Sequence, residues 1–191
     1  MKFSRKELQD LGVAWLALGL AFTFFYGGPR VVWSPSFTDL LLLSLVTVGV
    51  AFLLHELAHK VVAIHYDQVA EFRADYGMLG LAIAGGLAGF LFAAPGAVHH
   101  RGYLTDREHG LIALAGPVTN LGLAALFAPL LFVLPEVGLR GVQINLLLAA
   151  FNMLPFGPLD GNTVASWNKG VFLVVFLVSA ALAAVVLLPF F

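Results

Sequence analysis

The sequence predicts an all-α, polytopic membrane protein, and three observations carry that prediction. Of its 191 residues, 60% are hydrophobic and only 11% are charged, against roughly 45–50% apolar and about 25% charged in an ordinary soluble domain. The mean hydropathy is +0.94, and a chain of this size leaves too much surface exposed to hide so many apolar side chains from water. Finally, apolar stretches near the roughly 20 residues needed to cross about 30 Å of hydrocarbon recur along the chain.

Six such stretches stand out, at about 11–26, 38–64, 78–94, 110–134, 141–157 and 170–190. The first follows a basic start, "MKFSRKELQD", and resembles a signal peptide. It lacks a convincing small-x-small cleavage site and reads as a retained first span. Lys2, Arg5 and Lys6 ahead of it place the N-terminus in the cytoplasm by the positive-inside tendency. The stretch 38–64 then returns with its carboxyl half towards the cytoplasm. The third, 78–94, has no charge, but Gly80, Gly85, Gly86 and Gly89 weaken any helix there, at roughly 1 kcal/mol each relative to Ala.

Most of the remaining charge lies in three connections, "HYDQVAEFRADYG" (65–77), "HHRGYLTDREHG" (99–110) and "DGNTVASWNKG" (160–170). No internal repeat, low-complexity tract or linker divides the chain, so a single domain over 1–191 is expected. A net charge of −1 without any charge block points away from nucleic acid and from a polybasic lipid patch. Zero cysteines exclude disulfides, thiolate metal sites and a cysteine nucleophile.

Inside the second stretch stands "HELAH". His55 and His59, four residues apart, share one helix face a turn apart. That spacing lets both imidazoles reach one tetrahedral Zn²⁺, with Glu56 placed to take the proton of an attacking water. On a soluble helix the pattern is often a solvated face. Inside a membrane span ionisable groups are costly and mark function by default. Three of them within one turn call for a compensating cation. A catalytic zinc usually has three protein ligands and an open position. The third comes from Asp160, Asp67, Glu71, His65, His99, His100 or His109. Asp160, directly after an apolar run, is the best choice on chemistry. His65, Asp67 and Glu71 follow the helix too closely, and His99–His100 reads as a solvated loop dyad.

"HELAH" followed about a hundred residues later by "NMLPFGPLDG" resembles the site-2 proteases, the intramembrane zinc metalloproteases. Their second motif, roughly N-x-x-P-x-x-x-L-D-G, is matched by Asn152, Pro155, Leu159, Asp160 and Gly161. "AGPVTN" (115–120) resembles the intervening A-G-P-x-x-N segment, and "FAAPGAV" (92–98) is similar to a segment of prokaryotic, especially archaeal, members. The resemblance implies one zinc per chain on His55, His59 and Asp160, with Glu56 as general base. It implies that Asn152 stabilises the oxyanion or orients substrate, and that Pro155 and Gly161 shape the end of the ligand-bearing helix. Asn120 is either a substrate contact or a buried link to a neighbouring helix. The implied substrate is a transmembrane helix of another membrane protein in the same bilayer, cut by regulated intramembrane proteolysis at a cell membrane.

Three ligands on one ion must share one membrane depth. If 78–94 crossed fully, Asp160 would finish on the far face, roughly 30 Å away. The segment is therefore expected to be re-entrant, on the cytoplasmic side, with "PGAV" after it a strand whose edge can pair with an unwound substrate. The result is a site-2-protease-like core over about 38–162, with that small re-entrant/β element and flanking spans at 11–26 and 170–190. The competing reading is a divalent-cation transporter. Alternating access is often built from internal repeats, and none is visible.

Overall fold

A computed structural model describes residues 2–90 and 95–187. Its helices are α1 (Arg5–Gly27), α2 (Phe37–Ser44), α3 (Val50–His65), α4 (Tyr76–Ala88), α5 (Asp106–Phe127), α6 (Pro135–Asn152), α7 (Asp160–Trp167) and α8 (Lys169–Leu187). Two strands, β1 (Val69–Ala74) and β2 (Gly96–Arg101), form a two-stranded sheet. A π-helical stretch, Leu45–Gly49, joins α2 to α3, giving a continuous run over Phe37–His65. Among the described residues, four helical segments are long and apolar enough to cross a membrane: Arg5–Gly27, Phe37–His65, Asp106–Phe132 and Lys169–Leu187.

The chain divides into two compact units. In the first, residues 1–53 and 71–99, α1 packs on α2, on the π-helical stretch and on α4. Helix α1 starts at Arg5, earlier than the apolar stretch at 11–26, because Ser4 caps it by accepting Glu7 N–H at 3.1 Å. Glu7 and Asp10 are buried there with partners of their own. Glu7 Oε1 accepts the Phe72 N–H at 3.0 Å. Asp10 Oδ1 accepts from Lys6 Nζ at 2.7 Å and from the Tyr76 hydroxyl at 2.6 Å. The π-helical turn leaves a carbonyl available, and Trp15 Nε1 donates to Leu45 O at 3.0 Å.

Helix α4 forms despite its glycines because one of them permits the packing. A Cβ on Gly86 would sit 2.2 Å from Ala21 O, so only glycine allows α4 this close to the α1 backbone. Gly89, at φ +80°, ends the helix in the left-handed region. The Asp75 N–H bonds Pro95 O at 3.0 Å, so the segment carrying α4 begins and ends at one place. The expected segment 78–94 thus contains most of a helix of 13 residues; its last four positions, 91–94, lie outside the described residues, as does part of "FAAPGAV".

The second unit comprises residues 54–70 and 100–191, of which 188–191 lie outside the described residues. Its α5 packs on α6 and α7, and α8 covers α6 and α7. A capping box starts α5: Thr105 Oγ1 accepts Glu108 N–H at 3.3 Å, and Glu108 Oε2 accepts Thr105 N–H at 2.8 Å. One core cluster joins Ala124, Val142, Leu146 and Ala183. A second joins Ala113, Met153 and Val164. Residues late in α5 therefore meet the middle of α6 and residues early in α5 meet its end, so the two helices are antiparallel.

Helix α6 spans 135–152, where hydropathy outlined 141–157. Pro135 starts it at N1. It ends before Pro155, which forces the preceding residue away from helical geometry. Asp160 is consequently not on the end of that span. It opens a separate helix, α7, after a tight turn in which Gly157 takes φ +61°. Pro155 and Gly161 therefore shape the turn between α6 and α7 rather than the end of one ligand-bearing helix.

Candidate metal centre

All the converging groups belong to the second unit. His55 and His59 lie on α3, one turn apart, and both are buried. Their Nε2 atoms are 3.0 Å from each other. Asp160 Oδ2 lies 3.3 Å from His55 Nε2 and 3.4 Å from His59 Nε2. Among the described residues, these are the His and acidic side chains that group closely enough to hold a metal.

Each ring is steered from behind. His59 Nδ1 lies 2.7 Å from Ile112 O. A carbonyl only accepts, so Nδ1 carries the proton and Nε2 presents its lone pair. His55 Nδ1 lies 2.6 Å from Asn120 Oδ1. Asn120 Nδ2 donates to Asn145 Oδ1 at 2.8 Å, and Asn145 Nδ2 donates to Gly141 O at 2.8 Å. Ile112 faces His59 and Asn120 faces His55, so α5 runs antiparallel to α3. Helices α3 and α6 therefore run in the same sense, and α3 ends where α5 begins.

Two glycines make the convergence possible. A Cβ on Gly116 would lie 2.5 Å from His55 Nε2 and 2.5 Å from His59 Nε2, so α5 can face both rings only with glycine there. A Cβ on Gly161 would lie 2.2 Å from Met153 O, so α7 can seat against the end of α6 only through that residue. The backbone thus brings Asp160 to the imidazoles. As the first residue of α7 it also sits where a helix favours negative charge.

The donor set fits a small divalent cation. Ligands at 2.0–2.1 Å from zinc at tetrahedral corners lie about 3.3–3.4 Å apart, and the three atoms are 3.0–3.4 Å apart. Asp160 Oδ2 is buried with no hydrogen-bond partner. Buried polar atoms without one are rare and call for an explanation. Three lone pairs aimed at one point repel each other until a cation lies between them.

Glu56 is buried on α3 beside His55. Asn120 is fully buried and bonded to His55 and to Asn145 on α6. Asn152 ends α6, half-buried, with its Nδ2 on Leu148 O at 3.0 Å. Of the other candidate ligands, Asp67 turns the chain after α3 at φ 56°. Glu71 pairs with Arg73 and with Ser4, and His100 stacks edge-on against His109 with centroids 5.4 Å apart. Sequence reading missed Asn145, Gly116 as a steric requirement and Lys60, which is 1% exposed four residues after Glu56. The signal for Asn145 was an amide inside an apolar run, the same kind of signal as the histidines.

No family model matches the chain, and no solved structure does. Curated relatives do. The chain is 42% identical over 183 residues to "Putative zinc metalloprotease MJ0611" of Methanocaldococcus jannaschii, covering 91% of each chain. It is 32% identical over 144 residues to "Putative zinc metalloprotease YwhC" of Bacillus subtilis, covering 61% of this chain and 64% of that one. It is 35% identical over 120 residues to "Putative zinc metalloprotease Rip3" of Mycobacterium tuberculosis, covering 58% of this chain and 27% of that one. The first of these spans nearly the whole chain, including "HELAH" and the LDG turn that the fold brings to one point, and the chain belongs to the site-2 protease family.

Proposed function

We propose that the chain is a zinc-dependent intramembrane endopeptidase that cuts a peptide bond within or near a transmembrane helix of another membrane protein. The observation that carries this reading is the three-atom convergence with an orphaned Asp160 oxygen, built on a helix long and apolar enough to span a bilayer. His55 lies ten residues before the end of that helix, about 15 Å along its axis, which supports a site set back from the helix end.

His55, His59 and Asp160 hold the zinc, one per chain. When bound, the ion supplies Lewis-acid polarisation of the scissile carbonyl and lowers the pKa of a water it activates. Glu56 takes the proton from the attacking water and hands it to the leaving amine. The Asn152 amide has a second N–H to offer the developing oxyanion. A helical substrate hides its carbonyls in its own hydrogen bonds, so it unwinds locally before attack, and residues that weaken its helix favour cleavage.

The segment 78–94 is read as re-entrant, leaving five crossings and an active site open to the cytoplasm beside the cytoplasmic N-terminus. Two observations favour no net crossing there: α3 ends where α5 begins, and Asp75 bonds Pro95. Glu7 occupies the Phe72 N–H on β1, which leaves the β2 edge for an extended substrate strand.

The test is cleavage of a transmembrane reporter by the purified chain in detergent, beside Glu56→Ala, with zinc measured in both. The expected result is a loss of at least about a hundredfold in the variant, in line with losing a general base, with one zinc retained in each. Absence of zinc from the wild-type protein overturns the reading.

A further inference from the structure

We infer that Asn145 is a positioning residue for the metal centre: through Asn120 it fixes the tautomer of His55, and the backbone carbonyl of Gly141 sets the direction of the whole relay. This rests on the metal reading above. The links run from His55 Nδ1 to Asn120 Oδ1 at 2.6 Å, from Asn120 Nδ2 to Asn145 Oδ1 at 2.8 Å, and from Asn145 Nδ2 to Gly141 O at 2.8 Å.

An amide side chain can be turned over, exchanging donor for acceptor, so its direction must come from the network. Gly141 supplies a carbonyl, which accepts and never donates. Asn145 must therefore turn its NH₂ to Gly141 and its oxygen to Asn120. Asn120 must turn its NH₂ to Asn145, which leaves its own oxygen for His55. His55 Nδ1 must then carry the proton, and Nε2 is left as the lone pair facing Asp160 and His59. Turning over either amide would set oxygen against oxygen, or NH₂ against NH₂, at hydrogen-bond distance. Asn120 and Asn145 are 0% exposed and His55 is 5% exposed, so water cannot repair such a fault. His59 needs no relay, because Ile112 O faces it directly.

Outer partners of metal-bound histidines set ring orientation and basicity, and their loss costs typically 10–100-fold in affinity. Asn145→Leu removes the whole amide. Asn145→Ser is gentler: its hydroxyl can return to the carbonyl four residues back, as Thr23 does to Gly19, Thr47 to Leu43 and Ser179 to Val175. It is too short to hold Asn120. The experiment uses the full chain in detergent, stripped of metal, with zinc alone titrated against a chromophoric competitor. A second readout is nitrogen NMR of labelled histidine at a pH where the ring is neutral.

The expected result is a zinc Kd weakened 10–100-fold in Asn145→Ser, a zinc-free thermal midpoint lowered because the buried Asn120 NH₂ loses its acceptor, and a change in His55 from a single Nδ1–H tautomer to a mixture. Unchanged Kd and tautomer in Asn145→Ser overturn the inference, whatever Asn145→Leu does to folding. If the wild-type protein binds no zinc, the metal reading fails, and the His55 tautomer in wild type and variant still decides the relay.

Discussion

Two buried clusters in this chain look alike in composition and differ in charge balance. At the start of α1, Glu7 and Asp10 are taken out of water, and each carboxylate finds donors: the Phe72 N–H, Lys6 Nζ and the Tyr76 hydroxyl. The remaining Asp10 oxygen has Arg73 Nη1 at 4.0 Å. In the second unit, Asp160 Oδ2 is also taken out of water, but it faces two imidazole nitrogens whose protons lie on the opposite side of each ring. A buried charge is tolerated when paired. The first cluster draws its countercharges, Lys6 and Arg73, from within the chain, although Asp10 Oδ2 makes no hydrogen bond; the second is complete only with a cation from outside. Buried polarity alone therefore does not mark the site. The missing positive charge does.

The comparison breaks first at Asp160. Asp160→Ala removes one donor from the second cluster and is expected to weaken zinc binding by more than the about hundredfold that losing an outer partner costs. It also relieves the unbalanced lone pairs. The zinc-free variant should therefore melt at or above the wild-type temperature, while the stabilisation by zinc, about 2.7 kcal/mol at a hundred times Kd, should disappear. Thermal melts with and without zinc check both halves. A zinc-free variant that melts well below the wild type would mean that Asp160 is held by the fold itself, as Glu7 is.

Gly116→Ala tests the same cluster more gently. Its Cβ would meet both imidazoles at 2.5 Å, and close overlap of that kind forces rings or backbone to shift. The expectation is at least a tenfold weaker zinc Kd, read by competition, and a proportionate fall in reporter cleavage. Gly122, on the same helix with nothing within 4 Å of its Cβ position, is the control. Gly122→Ala should bind zinc as the wild type does.

These two residues also show where the sequence was legible. "HELAH" stands out because two imidazoles and a carboxylate interrupt an oily run at helical spacing, and Asp160 follows from chemistry and motif together. Asn145 and Gly116 carry no such contrast: one amide in "GVQINLLLAA" and one glycine among 20 gain meaning only when another helix lies against them. The boundaries that shifted share one cause. Hydropathy stops at charge, so the apolar stretches begin at 11 and 141, although α1 takes in Glu7 and Asp10, each with a partner, and α6 takes in Glu136 and Arg140 in its first turns. Strand β1 was not foreseen, since "VAEFRA" lies within a charged connection and owes part of its edge to a glutamate about 65 residues away in sequence.

The smallest effect belongs to the balanced cluster. Glu7→Leu makes the side chain apolar at similar bulk but leaves the Phe72 N–H without its acceptor, and an unsatisfied buried donor costs about 1–3 kcal/mol. Phe72 is 1% exposed, so water cannot take the place of the carboxylate. The variant should therefore melt at a lower temperature. If the cluster is structural, it should still bind one zinc with the wild-type Kd, because the metal's ligands and their outer partners lie on α3, α5, α6 and α7. Reporter cleavage separates two consequences. A rate unchanged at a temperature where the variant is folded confines Glu7 to stability. A reduced rate at unchanged zinc affinity ties the register of β1, and with it the β2 edge, to handling of the substrate.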